Sequence, residues 1–358
     1  EELEAAEYAG SEKAVEVLDD NPELAISYCD SVLSYESAIE RDPVYEVKAM
    51  KIKGLALFYL NKFGESVSTL IPARELAKNN KLWSDYLSIS NNLGVIYKTL
   101  GDYETASQYF TETYERSKGI DDQESILRAY NNLAVVMHSM MKYEEALNFQ
   151  NKALKLAIEL NDSISLPNIY NNMGLILTDQ EEYSEGEKYY KQAIKTATSQ
   201  NNNIIRATAL HNLALAKSEQ FKYKEAIEIM LESLTFIEEE KNITEYATVN
   251  LEISKLYSKL NNTDKALEHI EKGKAYIGTK EIRRRYLEAQ RDYFIATENE
   301  EKAYAYYDSI LSIQNEMFND QTKMAAVNLE YLKEIDQERT ENRLLRADNE
   351  LQEHLLAD

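Results

Sequence analysis

The sequence predicts an all-α fold, an α-solenoid built from antiparallel helix pairs, and three observations predict it. Tyr103, Tyr143, Tyr183 and Tyr223 recur every forty residues. Aligned on them, Asn91-Asn92-Leu93-Gly94, Asn131-Asn132-Leu133-Ala134, Asn171-Asn172-Met173-Gly174 and His211-Asn212-Leu213-Ala214 fall in one register. A fixed period of this length marks a stack of like supersecondary units rather than a globule with one core. The third observation is composition: 10 Gly and 4 Pro in 358 residues leave few breakers, which favours helix throughout.

Residues 1–50 are expected to form a degenerate helix pair, with Asn21-Pro22-Glu23-Leu24-Ala25 opening its second helix. Six forty-residue units then occupy 51–290. In the unit from Asp121 to Asp162, Asp121 or Asp122 caps the first helix and Glu124 is placed to complete a capping box. Ile126, Leu127, Tyr130, Leu133, Ala134 and Met137 recur at helical spacing. The chain breaks at Met141-Lys142. Tyr143, Ala146, Leu147, Ala153, Leu154 and Ala157 form the second stripe, and Asn161-Asp162-Ser163 ends it and caps the next unit. Two columns of small residues, Gly54, Gly94, Ala134, Gly174 and Ala214 in first helices and Ala106, Ala146, Gly186, Ala226 and Ala266 in second helices, let the pairs close. Glycine inside a helix costs about 1 kcal/mol relative to alanine, so its recurrence implies a packing reason. Residues 291–320 read as a degenerate terminal repeat. Residues 321–358 read as a long charged helix with an imperfect heptad pattern, as a cap, a linker or a coiled coil joining two chains.

These residues resemble the tetratricopeptide repeat. Leu93-Gly94-Val95-Ile96-Tyr97 followed by Gly101-Asp102-Tyr103, Ala106 and Phe110 carries the likeness most fully. Leu133-Ala134, Ala146 and Ala153 match in part, as do Gly174, Tyr190 and Ala193. The usual unit of that family has thirty-four residues; the forty-residue unit is similar to those of kinesin light chains, of Pins-type spindle orientation proteins and of the Rap phosphatase regulators. The resemblance implies a right-handed superhelix whose first helices line a concave face. It implies peptide- or protein-binding residues there: Asn91, Asn92, Asn131, Asn132, Asn171, Asn172 and Asn212, with Arg128 and Asn168 a turn before and His138 a turn after. The same asparagines could equally form a ladder tying neighbouring first helices together.

The formal net charge of −23 argues against nucleic-acid binding by this segment. One cysteine, Cys29, excludes an internal disulfide. The four histidines have no ligand spacing, and no phosphate loop or nucleophile elbow occurs, so neither metal, cofactor nor catalysis is expected. Arg283-Arg284-Arg285 reads as a solvated basic helix face. No run of apolar residues is long enough to span a membrane. The chain opens at Glu1 without an initiator Met or a signal peptide, which suggests a trimmed or processed protein. The layout, an array followed by a charged helix, also resembles the sensing half of Bacteroidetes-type repeat regulators, which would place the chain in the periplasm. The alternative is a self-contained cytoplasmic scaffold or peptide-responsive adaptor similar to the Rap group.

Overall fold

The computed structural model describes residues 2–34, 42–239 and 242–319, and it is helical with no strand among them. The expected C-terminal charged helix, with the coiled coil and chain association read from it, lies outside the described residues. Residues Glu1–Ala129 and Tyr130–Asp320 form two compact units. The first holds α1 (Glu2–Val17), α2 (Pro22–Leu33), α3 (Pro43–Tyr59), α4 (Phe63–Asn79), α5 (Trp83–Thr99) and α6 (Tyr103–Gly119). Helix α7 (Gln123–Ser139) runs across the division. The second unit continues with α8 (Tyr143–Glu159), α9 (Leu166–Asp179), α10 (Tyr183–Ser199), α11 (Asn203–Glu219), α12 (Tyr223–Glu239), α13 (Ile243–Lys259), α14 (Thr263–Lys274) and α15 (Lys280–Ala296). A further helical run covers 300–319.

Each helix stops and starts for a local reason. The first helices end in a left-handed residue, Asn61, Gly101, Met141, Glu181, Phe221 or Asn261, which lets the next amide bond back into the last turn. Asp42, Asp102, Asn202, Asn242 and Asn262 then cap helices by accepting a backbone N–H. The repeating tyrosines are the first residues of α6, α8, α10 and α12, half-buried beside the turn. Two details differ from the sequence reading. The cap of α7 is Asp122, whose carboxylate takes the Ser125 N–H at 3.0 Å and the Ser125 hydroxyl at 2.7 Å; Ser125, not Glu124, sits three residues on. Helix α9 starts late, at Leu166, because Asp162 accepts from the amides of Ile164 and Ser165 and holds Ser163–Ser165 as a turn ahead of Pro167.

The pairing rests on size complementarity that the small columns show only in half. The glycine of each first helix faces the residue sixteen positions on. A Cβ at Gly54 would lie 2.4 Å from Leu70, at Gly94 2.5 Å from the Phe110 ring, and at Gly174 2.7 Å from the Tyr190 ring. Phe110 and Tyr190 are the largest side chains with essentially no exposure. Where the column carries alanine, the opposing position holds Met230, packed in one core cluster with Ala214, or Gln150. Burial of such side chains contributes about 1.5–3 kcal/mol each, which is why Gly is tolerated mid-helix.

Candidate functional site

The first helices of the second unit carry an inter-repeat ladder. Asn172 Nδ2 donates to Asn131 Oδ1 at 3.2 Å, and Asn212 Nδ2 donates to Asn171 Oδ1 at 3.0 Å. Each bond joins positions forty-one residues apart, because neighbouring first helices are offset by one residue in the forty-residue register. His138 follows the same step, its Nε2 lying 2.7 Å from Asp179 Oδ2. Asn131 Oδ1 also accepts from Gln150 Nε2 at 3.2 Å. Gln150 has no exposure, gives a second bond to the Ile169 carbonyl, and leaves its own Oε1 without a partner.

The ladder does not exhaust the amides. An asparagine side chain has two donor hydrogens and two acceptor lone pairs, and Asn172 and Asn212 each use one donor between repeats. Both are half-buried, so they still face solvent; Asn171 is 8% exposed. One turn before them Asn168 and Thr208 are exposed. Thr208 bonds only to its own helix. One turn after them runs an apolar row, Val135 and Leu175 half-buried and Leu215 38% exposed. That row was not singled out from sequence, although its forty-residue period is visible there. The first unit has its own counterpart on α5, where Asn91 and Asn92 are half-buried. Lys98 lies on the same helix with its ammonium held below the ordinary lysine value by burial. Arg128 is exposed, and its guanidinium reaches Ser125 Oγ at 3.1 Å.

From α11 onward the amide ladder turns ionic. His211 occupies the column of Asn131 and Asn171, and Glu252 that of Asn172 and Asn212. His211 Nε2 meets Glu252 at 2.6 Å and Nδ1 meets Glu245 at 3.1 Å. Burial alone would lower the imidazole, yet the two carboxylates raise it to about 9, so it is charged at neutral pH. Glu252 is likewise pushed up by burial but held below the ordinary carboxylate value by His211, Arg285 and Lys255. Arg285 bonds Glu252 at 2.5 Å and Glu281 at 2.8 Å, and Arg284 bonds Glu281 and Glu288. The reading of Arg283-Arg284-Arg285 as a solvated face is therefore corrected for Arg284 and Arg285. Their side chains retain 23% and 28% exposure, because Glu281 and Glu288 of the same helix hold Arg284 and Glu252 of α13 draws Arg285 onto the ladder. His269 is the reverse case: buried against Asn250 and stacked on Tyr257, it is lowered to about 4 by burial and by Lys272.

A family model described as Tetratricopeptide repeat matches residues 85–159, 125–199 and 165–239. Residues 85–239 carry tetratricopeptide repeats. No curated protein matches the sequence. Among solved structures, the chain is similar to the apo form of the quorum sensor NprR from B. thuringiensis. The TM-score is 0.66 at 14% identity, covering 86% of this chain and 87% of that one. It is similar to aspartyl phosphate phosphatase F from Bacillus subtilis, with TM-score 0.60, 17% identity and coverage of 76% and 70%. It is also similar to a Rap protein complexed with Competence and Sporulation Factor, with TM-score 0.60, 14% identity and coverage of 95% and 99%. Identities this low carry a likeness of fold. The helical solenoid and its repeats are common to all of them.

Proposed function

We propose that the chain is a non-catalytic, peptide-responsive adaptor that takes an extended peptide on the first-helix face of its second unit. The observation that carries this reading is the layering of that face. An exposed polar row at Asn168 and Thr208, half-buried amides at Asn132, Asn172 and Asn212, and an apolar row at Val135, Leu175 and Leu215 repeat at one-repeat intervals. An extended backbone presents N–H and C=O groups alternately and needs both donors and acceptors opposite it; the second amide hydrogen and the carbonyl oxygen of Asn172 and Asn212, which each spend one donor on the ladder, supply both. The apolar row would take ligand side chains, since concave sites combine apolar lining with a few placed polar groups. His138 and Asn131 act in this reading through the ladder, by holding neighbouring first helices in register. Arg128, Asn91 and Asn92 are the corresponding candidates of the first unit taken by itself.

Support comes also from the solved structures of similar fold, of which NprR is described in complex with its cognate peptide NprX and a Rap protein with Competence and Sporulation Factor. These likenesses favour the self-contained adaptor over the sensing half of a larger bacterial regulator. They favour its cytoplasmic placement over a periplasmic one. No described helix is long and apolar enough to cross a membrane.

The test is affinity selection from a random linear peptide library on the full chain. Fluorescence anisotropy of the selected peptide against variants then follows. Asn168→Ala and Thr208→Ala remove groups that hold no neighbouring helix. Loss of one hydrogen bond of about 1 kcal/mol lowers affinity about fivefold, with an unchanged melting temperature. A library that yields no binder above background, or a binder indifferent to both variants, contradicts the reading.

A further inference from the structure

The turns that join first to second helices form one edge of the second unit, and each puts one residue in the left-handed region: Met141 (φ 58°), Glu181 (φ 64°), Phe221 (φ 61°) and Asn261 (φ 55°). The turn requires it. Lys142, Glu182 and Lys222 donate their amides back to Met137, Leu177 and Lys217 at 2.8–3.0 Å. Glycine and asparagine suit this conformation, whereas a bulky side chain there is strained. Burial does not offset the strain at two of these positions, since Met141 is 76% and Phe221 78% exposed. A large apolar group disfavoured by both its backbone and its solvent contact points to a contact made elsewhere.

The charges beside these residues say with what. Exposed Lys142 follows Met141, exposed Lys222 follows Phe221, and the turn between them presents exposed Glu181 and Glu182. At one-repeat steps the edge therefore reads apolar–Lys, Glu–Glu, apolar–Lys. Such a pattern is self-complementary: a two-fold axis between the Glu181 and Phe221 turns sets Phe221-Lys222 of each copy against Glu181-Glu182 of the other. Tyr223, in edge contact with the Phe221 ring at 6.2 Å between centroids, widens the anchor. We infer that this edge is a contact surface between two copies of the chain, in which the exposed Phe221 and Met141 are covered by the other copy's Glu181 and Asn261 turns and the Lys–Glu alternation sets the register. It is separate from the first-helix face, so it stands or falls independently of the peptide reading.

Sedimentation velocity of the full chain tests it across a hundredfold range of concentration. The wild type is expected to pass from monomer to dimer. Met141→Asn with Phe221→Asn should sediment as monomer with a melting temperature unchanged or raised, because asparagine suits the left-handed position. Lys222→Glu alone, and Glu181→Lys with Glu182→Lys, should each be monomeric, and an equimolar mixture of these two should recover the dimer. A wild type that stays monomeric overturns the inference. So does a dimer that survives Met141→Asn with Phe221→Asn, or a mixture of the two charge variants that remains monomeric.

Discussion

Replacing His211 by asparagine, the residue that Asn131 and Asn171 place in the same column, removes the cation from the ionic part of the ladder. The imidazole is raised from 6.5 to about 9 with its side chain only 13% exposed, so solvent screening is modest. A shift of that size corresponds to about 3 kcal/mol of stability. The sign follows from the direction. The folded value lies above the unfolded one, so the contribution is complete below pH 6.5 and is lost as pH rises through about 9. His211→Asn should therefore cost about 3 kcal/mol at pH 6 and close to nothing at pH 10. Urea unfolding followed by circular dichroism, on both chains at both pH values, measures the difference directly. The titration of the His211 Cε1 proton by NMR gives the same quantity without a variant. A stability difference equal at pH 6 and pH 10, or an imidazole that titrates near 6.5, would refute the argument.

Three further outcomes follow from the packing. Gly174→Ala places a Cβ 2.7 Å from the Tyr190 ring and should destabilise by about 1–3 kcal/mol in a urea melt; an unchanged midpoint would show that the ring yields freely. Gln150→Met puts into α8 the residue that α12 carries as Met230 and removes the orphaned Oε1. It should raise stability by about 1 kcal/mol, and a loss would mean that its bond to Asn131 matters more than the orphan. Cys29 is fully buried, and burial, with the adjacent Asp30 charge, pushes its thiol up to about 12. Ellman's reagent should label it only on unfolding, and rapid labelling of the folded chain would contradict its placement on the face of α2 packed against Ala14, Ala49 and Ile52.

The fold was legible because its signals are periodic and local. The tyrosine beat located the starts of α6, α8, α10 and α12, and the small columns located where helices close. The bulky half of that closure was not legible. Leu70, Phe110, Gln150, Tyr190 and Met230 share a column without sharing a chemical type, and only the small residue opposite, glycine for Leu70, Phe110 and Tyr190 and alanine for Gln150 and Met230, explains the size allowed. The asparagine pairs were legible as a register, but the partners of Asn172 and Asn212 lie forty-one residues away, an offset set by how one pair stacks on the next. His211, Arg284 and Arg285 looked isolated or solvated for the same reason. Their partners Glu245, Glu281 and Glu288 sit on other helices or a turn away, among many acids of similar spacing. Met141 was legible only as part of the break at Met141-Lys142, and Phe221 was not singled out, because backbone angle and exposure at a turn leave no periodic trace.

The central claim is that the first-helix face of the second unit receives an extended ligand through amide valences left over from the ladder. A crystal structure of the full chain with the library-selected peptide tests it most directly. The account predicts a peptide lying along α9 and α11 of that unit, its backbone bonded to the side chains of Asn172 and Asn212 and its apolar groups over Val135, Leu175 and Leu215. A peptide seated on the second helices, or one that makes no bond to these asparagines, would contradict it.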